Sequence, residues 1–164
     1  MTRLWLVTLV CALGCSEPVH DRLVESFGPE ATGIPEGPLH RAGQPCGECH
    51  GEFGPARQTF SLSGTIYQNS SGDEPELQLE VKVIDAQGSQ RTFTTNEVGS
   101  FYATPAEYAP TFPVWVKLVR GEQIVEMRSA ISRQTSCGGC HGREAAPAKV
   151  GQVYFEMPSP EAPP

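Results

Sequence analysis

Basic residues and long apolar runs are both scarce in this chain of 164 residues, which has 12 Lys and Arg against 19 Asp and Glu, a formal net charge of −7. Because so few cations cannot neutralise a row of phosphates, the composition argues against binding to nucleic acid. The apolar stretch at residues 4–13 is too short to span a bilayer. Glycine and proline are plentiful, with 17 and 15 residues, and they argue against long helices and coiled coils.

Residues 1–14 have the features of an export signal. Arg3 gives a positive start, an apolar segment follows, and the small residue Gly14 precedes Cys15. The end of this segment resembles a bacterial lipobox, so we predict cleavage before Cys15 and attachment of a lipid to its sulfur. Cleavage nearby, as in an ordinary secretory peptide, is the alternative. Ser16 stands where aspartate marks inner-membrane retention, so the resemblance implies a lipid anchor in the outer membrane, facing the periplasm.

Apart from Cys11 in the signal and Cys15, the cysteines form two C-x-x-C pairs, each followed at once by histidine. Haem carries two vinyl groups on adjacent pyrroles. Two thiols at this spacing can reach both, and the next residue offers an imidazole to the iron. The pattern predicts two covalently bound c-type haems, with the two histidines as proximal iron ligands. The predicted attachment residues are Cys46, Cys49 and His50 in the first motif and Cys137, Cys140 and His141 in the second.

The cysteine pairs allow two other interpretations. In an oxidising compartment they are candidates for tight disulfides, and together they have the composition of a four-cysteine zinc site. A thioredoxin-like redox motif would need a βαβ context, which the sequence lacks. Disulfides and zinc both leave the two adjacent histidines unexplained, so the haem interpretation is favoured.

The middle of the chain alternates apolar and polar residues with a period of two, which is typical of strands. Turn-forming groups such as Asn69–Gly72 and Asp85–Gly88 separate the alternating segments. We predict strands near 58–67, 77–85, 90–95, 100–104, 112–120 and 122–128, with a closing strand at 151–155. This pattern predicts a mainly β fold, a small antiparallel Greek-key-like sandwich with little helix, flanked by the two haem-binding segments. Trp115 is expected in its core.

The predicted organisation follows from the motifs and from the proline-rich ends. A short helix is expected between Pro18 and Gly28, because apolar residues recur there at helical spacing. The predicted segments are a signal peptide 1–14, a Pro-rich tether 15–45, a first haem segment 46–57, a sandwich 58–130, a second haem segment 131–150, the closing strand 151–155 and a disordered tail 156–164.

Three sequence groups carry a resemblance to a known module. They are Gly64-Thr65-Ile66-Tyr67, then Leu79-x-Val81-x-Val83-x-Asp85-x-x-Gly88, and the turn Thr94-Thr95-Asn96-x-x-Gly99-x-Phe101-Tyr102. Over residues 60–128 the chain resembles the carboxypeptidase regulatory-like (transthyretin-like) β-sandwich. This likeness implies a non-catalytic module and brings no active-site residues. With both C-x-x-C-H motifs, the whole arrangement is similar to exported dihaem proteins of bacteria.

Few residues are available as distal ligands for the two irons. His40, which precedes the first motif, and Met127, which precedes the second, are the leading candidates, followed by His20. A solvated histidine and a methionine in core packing are the alternative roles. The choice matters because a second histidine gives a low haem potential, whereas a methionine raises it.

The sequence therefore predicts a lipid-anchored dihaem c-type cytochrome that transfers electrons in the cell envelope, an electron carrier and not an enzyme. Its partners would be redox proteins of the envelope, and its acidic charge favours basic surfaces on them. The alternative is a structural or adhesion lipoprotein whose cysteine pairs are disulfides or a zinc site. A third interpretation is a peroxidase-like enzyme with an open coordination position on a haem.

Overall fold

The computed structural model describes residues 17–142 and 150–156. The predicted signal peptide, the lipid site Cys15 and most of the predicted tail lie outside these residues. Within the described residues, the regular structure consists of two short helices, six strands and one 3₁₀ turn. They are α1 (Pro18–Ser26), α2 (Cys46–His50), β1 (Leu62–Thr65), β2 (Glu80–Ile84), β3 (Gln90–Thr94), β4 (Ser100–Ala103), β5 (Trp115–Arg120), β6 (Gln123–Glu126) and the 3₁₀ turn Cys137–Gly139.

The strands form two antiparallel sheets. One sheet pairs β1 with β4, and the other has the order β3-β2-β5-β6. Strand β2 therefore lies between β3 and β5. After β3 the chain crosses to the other sheet to form β4, and it then returns to the larger sheet as β5. This is a Greek-key-like connection. The mainly β fold with little helix, a small antiparallel sandwich, is confirmed.

The core lies between the two sheets. On the inner face of the larger sheet, Val81 is opposite Leu118 and Val83 is opposite Val116. They pack in one cluster with side chains of the smaller sheet such as Phe101. Burial of these apolar side chains is the force that holds the sheets together.

Trp115 is not in this core, contrary to the prediction. It lies opposite Ile84 at the start of β5, and its side chain is 43% exposed. Successive residues of a strand point to opposite faces. Because Val116 and Leu118 face inward, Trp115 must face outward.

The predicted strands β2 to β6 are longer than the observed ones by one to three residues at one or both ends, and two other predicted strands differ more. The first was expected over 58–67 but begins at Leu62, because the residues before it fold back against the first motif. In place of a closing strand at 151–155 there is a single bridge, in which the Tyr67 N–H donates to Val153 O at 2.9 Å and the Phe155 N–H donates to Tyr67 O at 2.8 Å. This short pairing still buries Phe155 in the core.

Residues 17–45 contain the predicted helix, α1, but they are part of the fold and not a free tether. The Gly43 N–H donates to Thr65 Oγ1 at 3.0 Å, and Asn96 Nδ2 donates to Pro38 O at 2.8 Å. These two bonds fasten the segment to the sandwich. No helix within 17–142 and 150–156 combines the length and apolarity that a membrane span requires.

The Thr95-Asn96 turn joins the two sheets through side-chain hydrogen bonds. Asn96 Oδ1 accepts from the N–H groups of Val98 at 3.1 Å and Ser100 at 3.0 Å, as asparagine commonly does in turns. Thr95 is fully buried; its hydroxyl donates to Glu76 O at 2.6 Å and accepts from the Leu79 N–H at 2.9 Å.

We expect Thr95→Val to lower the free energy of unfolding by about 1–3 kcal/mol, because it leaves a buried N–H and a buried carbonyl without a partner. Thr94→Val is the matched control, since Thr94 is exposed on β3. Chemical denaturation of both variants measures the difference. Equal stabilities would contradict this role of Thr95.

Candidate functional site

The first C-x-x-C-H motif forms the short helix α2, with Cys46 at its start and His50 at its end. The chain turns at Gly51 and folds back along the helix. The Ala56 N–H donates to Cys49 O at 3.0 Å, and the Phe60 N–H donates to His50 O at 2.8 Å. These bonds close a loop that ends at Phe60, beside the His50 ring.

The His50 imidazole is held by one hydrogen bond and one ring contact. Its Nδ1 lies 2.7 Å from Gln58 O, and since a carbonyl only accepts, Nδ1 carries the proton. In the neutral ring, Nε2 then has a free lone pair, which is the form that binds a metal. Phe60 stacks on the imidazole at 4.0 Å between ring centroids, and Tyr102 stacks on Phe60 at 4.7 Å.

The second motif repeats this construction. It begins in the 3₁₀ turn, and the Val150 N–H donates to Cys140 O at 3.0 Å. His141 Nδ1 lies 2.8 Å from Gly151 O, so this ring also carries its proton on Nδ1. Within the described residues, Nε2 of neither His50 nor His141 has a hydrogen-bond partner.

The four motif cysteines are free thiols. Burial raises the pKa of Cys46 and of Cys49 above the ordinary value. Cys137 packs against the core; this burial, and secondarily the nearby Cys46 thiol, raises the pKa of Cys137 to about 12. Cys140 is exposed. In the described residues these thiols do not gather with other side chains into a group of three or more that is placed to hold a metal ion.

An apolar cavity of about 500 Å³ opens beside the second motif. Its volume is within the range of about 300–1,000 Å³ that is usual for small-molecule and cofactor sites. Both cysteines and the histidine of the second motif line it, and so does Met127, which directly follows β6. Three exposed apolar side chains also face it, namely Val125, Val150 and Tyr154.

The three predicted distal candidates lie in different surroundings. Met127 shares the cavity with His141. The His40 ring is 5.8 Å from the His50 ring, but its Nδ1 accepts the Gly37 N–H at 3.3 Å, so in the neutral ring Nε2 holds the proton. To bind a metal through Nε2, His40 would have to move that proton to Nδ1 and give up the bond to Gly37.

His20 is engaged elsewhere in the structure. Its Nε2 lies 2.8 Å from Glu48 O and 3.5 Å from Glu48 Oε2, so it clasps α1 to α2. The nitrogen that would have to bind iron therefore donates to a carbonyl.

The two motifs lie side by side on strand β1. The Ser63 N–H donates to Thr135 O at 2.8 Å, which places the second motif directly beside the strand. A Cβ built on Gly64 would lie 2.6 Å from Cys137 Sγ, so only glycine leaves room for this sulfur. On the same strand, a hydrogen bond with the Ser63 side chain partly offsets the raised pKa of Cys46.

These residues meet the chemical needs of a covalently attached haem at each motif. Each motif supplies two free thiols and an imidazole whose Nε2 is available, and the second also faces an apolar cavity. Comparisons with protein-family models, with curated proteins and with solved structures find no match for the chain. The resemblances to the regulatory-like sandwich and to exported dihaem proteins therefore stay predictions.

Sequence reasoning missed the groups that orient the histidines. Gln58 and Gly151 act through backbone carbonyls, which every residue has, so no residue type marks them. Phe60 and Tyr102 fall within the predicted strands 58–67 and 100–104, although an aromatic residue close behind a C-x-x-C-H motif is a usable signal for ring packing.

We expect the native haem-free chain to show slow alkylation of Cys137, because at pH 9 only roughly one thiol in a thousand is ionised when the pKa is about 12. The rate of Cys137 alkylation by iodoacetamide, followed by mass spectrometry, should rise tenfold per pH unit from pH 7 to about pH 10. In denaturant, the rate should level off above the ordinary cysteine pKa of about 8.5. A plateau near that value in the native chain would contradict the burial of this thiol.

Proposed function

We propose that the chain is a lipid-anchored dihaem c-type cytochrome that transfers electrons in the cell envelope. The observation that carries this proposal is the common state of the two motif histidines. His50 and His141 both donate through Nδ1 to a backbone carbonyl, at 2.7 and 2.8 Å, and keep Nε2 for a metal. A backbone carbonyl is one of the usual outer-shell partners of a metal-bound histidine, beside a carboxylate or water.

Each side chain of the motif has a distinct task in this proposal. The paired cysteines would hold the porphyrin through thioether bonds, and His50 and His141 would each offer Nε2 to one of the two irons. The bonds to Gln58 O and Gly151 O fix the orientation of the imidazoles. Bound haem supplies reversible one-electron chemistry, whereas the protein supplies ligands, burial and position.

The cavity beside the second motif gives independent support. Val125 and Val150 are apolar side chains with 43% and 72% of their surface exposed, and both line this cavity. A large apolar cofactor in the cavity would remove them from water, which is favourable by about 25 cal/mol per Å² buried.

The alternative function, a structural or adhesion lipoprotein, uses the same cysteines without haem. It requires either disulfides within the pairs or four thiolates around one zinc ion. Neither disulfides nor a zinc site explains why His50 and His141 both donate through Nδ1 to a backbone carbonyl. A peroxidase-like enzyme remains the third interpretation, and it differs by leaving a sixth coordination position of an iron open.

Location and partners belong to the same proposal. The anchor would be a lipid on Cys15, a residue that lies outside the described part of the chain. This lipid would hold the protein in the outer membrane, with the protein facing the periplasm. The partners would be envelope redox proteins, for which the net charge of −7 favours basic docking surfaces.

The test is to produce the full chain in bacteria that mature c-type cytochromes, and to measure its intact mass and its pyridine haemochrome spectrum. We expect two haems per chain. Cys46→Ala/Cys49→Ala and Cys137→Ala/Cys140→Ala should each retain one haem. A colourless protein without added porphyrin mass would overturn the proposal in favour of disulfides or zinc.

A second experiment tests the distal ligand of the second site. Met127→Leu removes the sulfur at similar volume, so we expect the higher of two haem potentials to fall in a redox titration. Axial ligands set haem potentials over a range of about 0.8 V, so the change should be readily measured. Ile131→Leu, which changes another residue that lines the cavity, is the control. If both variants keep the wild-type potentials, Met127 is a packing residue.

A further inference from the structure

The two motifs contact each other through the glycine that follows the first cysteine of each. Gly47 lies against Ser136, the residue before the second motif, and a Cβ on Gly47 would be 3.1 Å from Ser136 Cβ. Gly138 lies against Pro45, the residue before the first motif. A Cβ on Gly138 would be 2.8 Å from Pro45 Cα and 3.0 Å from Gln44 O. The contact is therefore reciprocal.

The two segments can approach this closely because glycine has no side chain. Distances below 3.0 Å between a Cβ and backbone atoms are essentially never found, so a side chain on Gly138 would force the two segments apart. At Gly47 a side chain would displace Ser136 by only a few tenths of an ångström. Gly138 is thus the more restrictive of the two positions.

The first cysteines of the two motifs are also neighbours. The Cys46 thiol is close enough to Cys137 to contribute to its raised pKa, and both cysteines are in contact with β1, through Ser63 and Gly64. In a c-type haem each of these sulfurs would be bonded to the rim of a porphyrin. Neighbouring sulfurs would therefore bring the rims of two porphyrins together.

We propose that the two C-x-x-C-H segments form a single two-site redox unit, and that the contacts at Gly47 and Gly138 hold its two haems in electronic contact. This inference rests on the proposed function, since it requires haem at both motifs. Exchange within the unit moves one electron: one site is oxidised by one electron while the other is reduced by one, and no bond is made or broken. Gly138 is a positioning residue in this unit.

The experiment compares circular dichroism in the Soret region for the purified full-length dihaem protein and three variants. Two strongly absorbing porphyrins in close contact mix their transitions and give a band with lobes of opposite sign, whereas separated porphyrins give simple bands. We expect the two-lobed band in the wild type and its loss in Gly138→Ala. Gly47→Ala should weaken the two-lobed band. This variant carries the test if Gly138→Ala does not accumulate.

Gly139→Ala is the matched control within the same motif. The three atoms nearest to a Cβ on Gly139 all belong to the side chain of Gln134, which can rotate away, so the band should persist. Haem content is measured on every sample. Fewer than two haems in the wild type would mean that the proposed function fails. Two haems with a simple Soret band in the wild type, or a two-lobed band of unchanged size in both Gly138→Ala and Gly47→Ala, would overturn the inference alone.

Discussion

The position of strand β1 determines where both C-x-x-C-H segments lie. All four of its residues are buried. One edge of β1 pairs with β4, and on the other side the Ser63 N–H donates to Thr135 O in the second motif segment. The first motif reaches the same strand through Gly43 and Cys46. Because a buried strand cannot shift its register without exposing its core face, β1 gives both sites a common rigid base.

The remainder of the sandwich keeps that base in place. Strand β2 packs its inward valines against β5, and the Thr95 turn ties the chain between the sheets through buried hydrogen bonds. The sites themselves have little regular structure, with five residues in α2 and three in the 3₁₀ turn. A chemical site built on such short elements needs support from a rigid scaffold, and here the sandwich provides it.

Much of this was accessible from the sequence, for reasons that differ between the fold and the site. The alternation around Val81 and Leu118 predicted the sheet, since the period of two is a local property. The two motifs were equally visible, because thioether attachment depends on local spacing. The contact of Gly138 with Pro45 and the carbonyls that orient the histidines were not predictable, because they join distant segments through backbone atoms. Trp115 was misplaced because its large apolar side chain outweighed the alternation of its own strand.

The clasp between α1 and α2 has a mechanical consequence. His20 holds Glu48, in the middle of the first motif, through both its backbone oxygen and its carboxylate. A force applied to the chain at residue 17 is therefore carried first into α2, before it reaches the sheets. The same clasp limits how α2 can turn relative to α1, so the orientation of α1 and that of the His50 ring are linked.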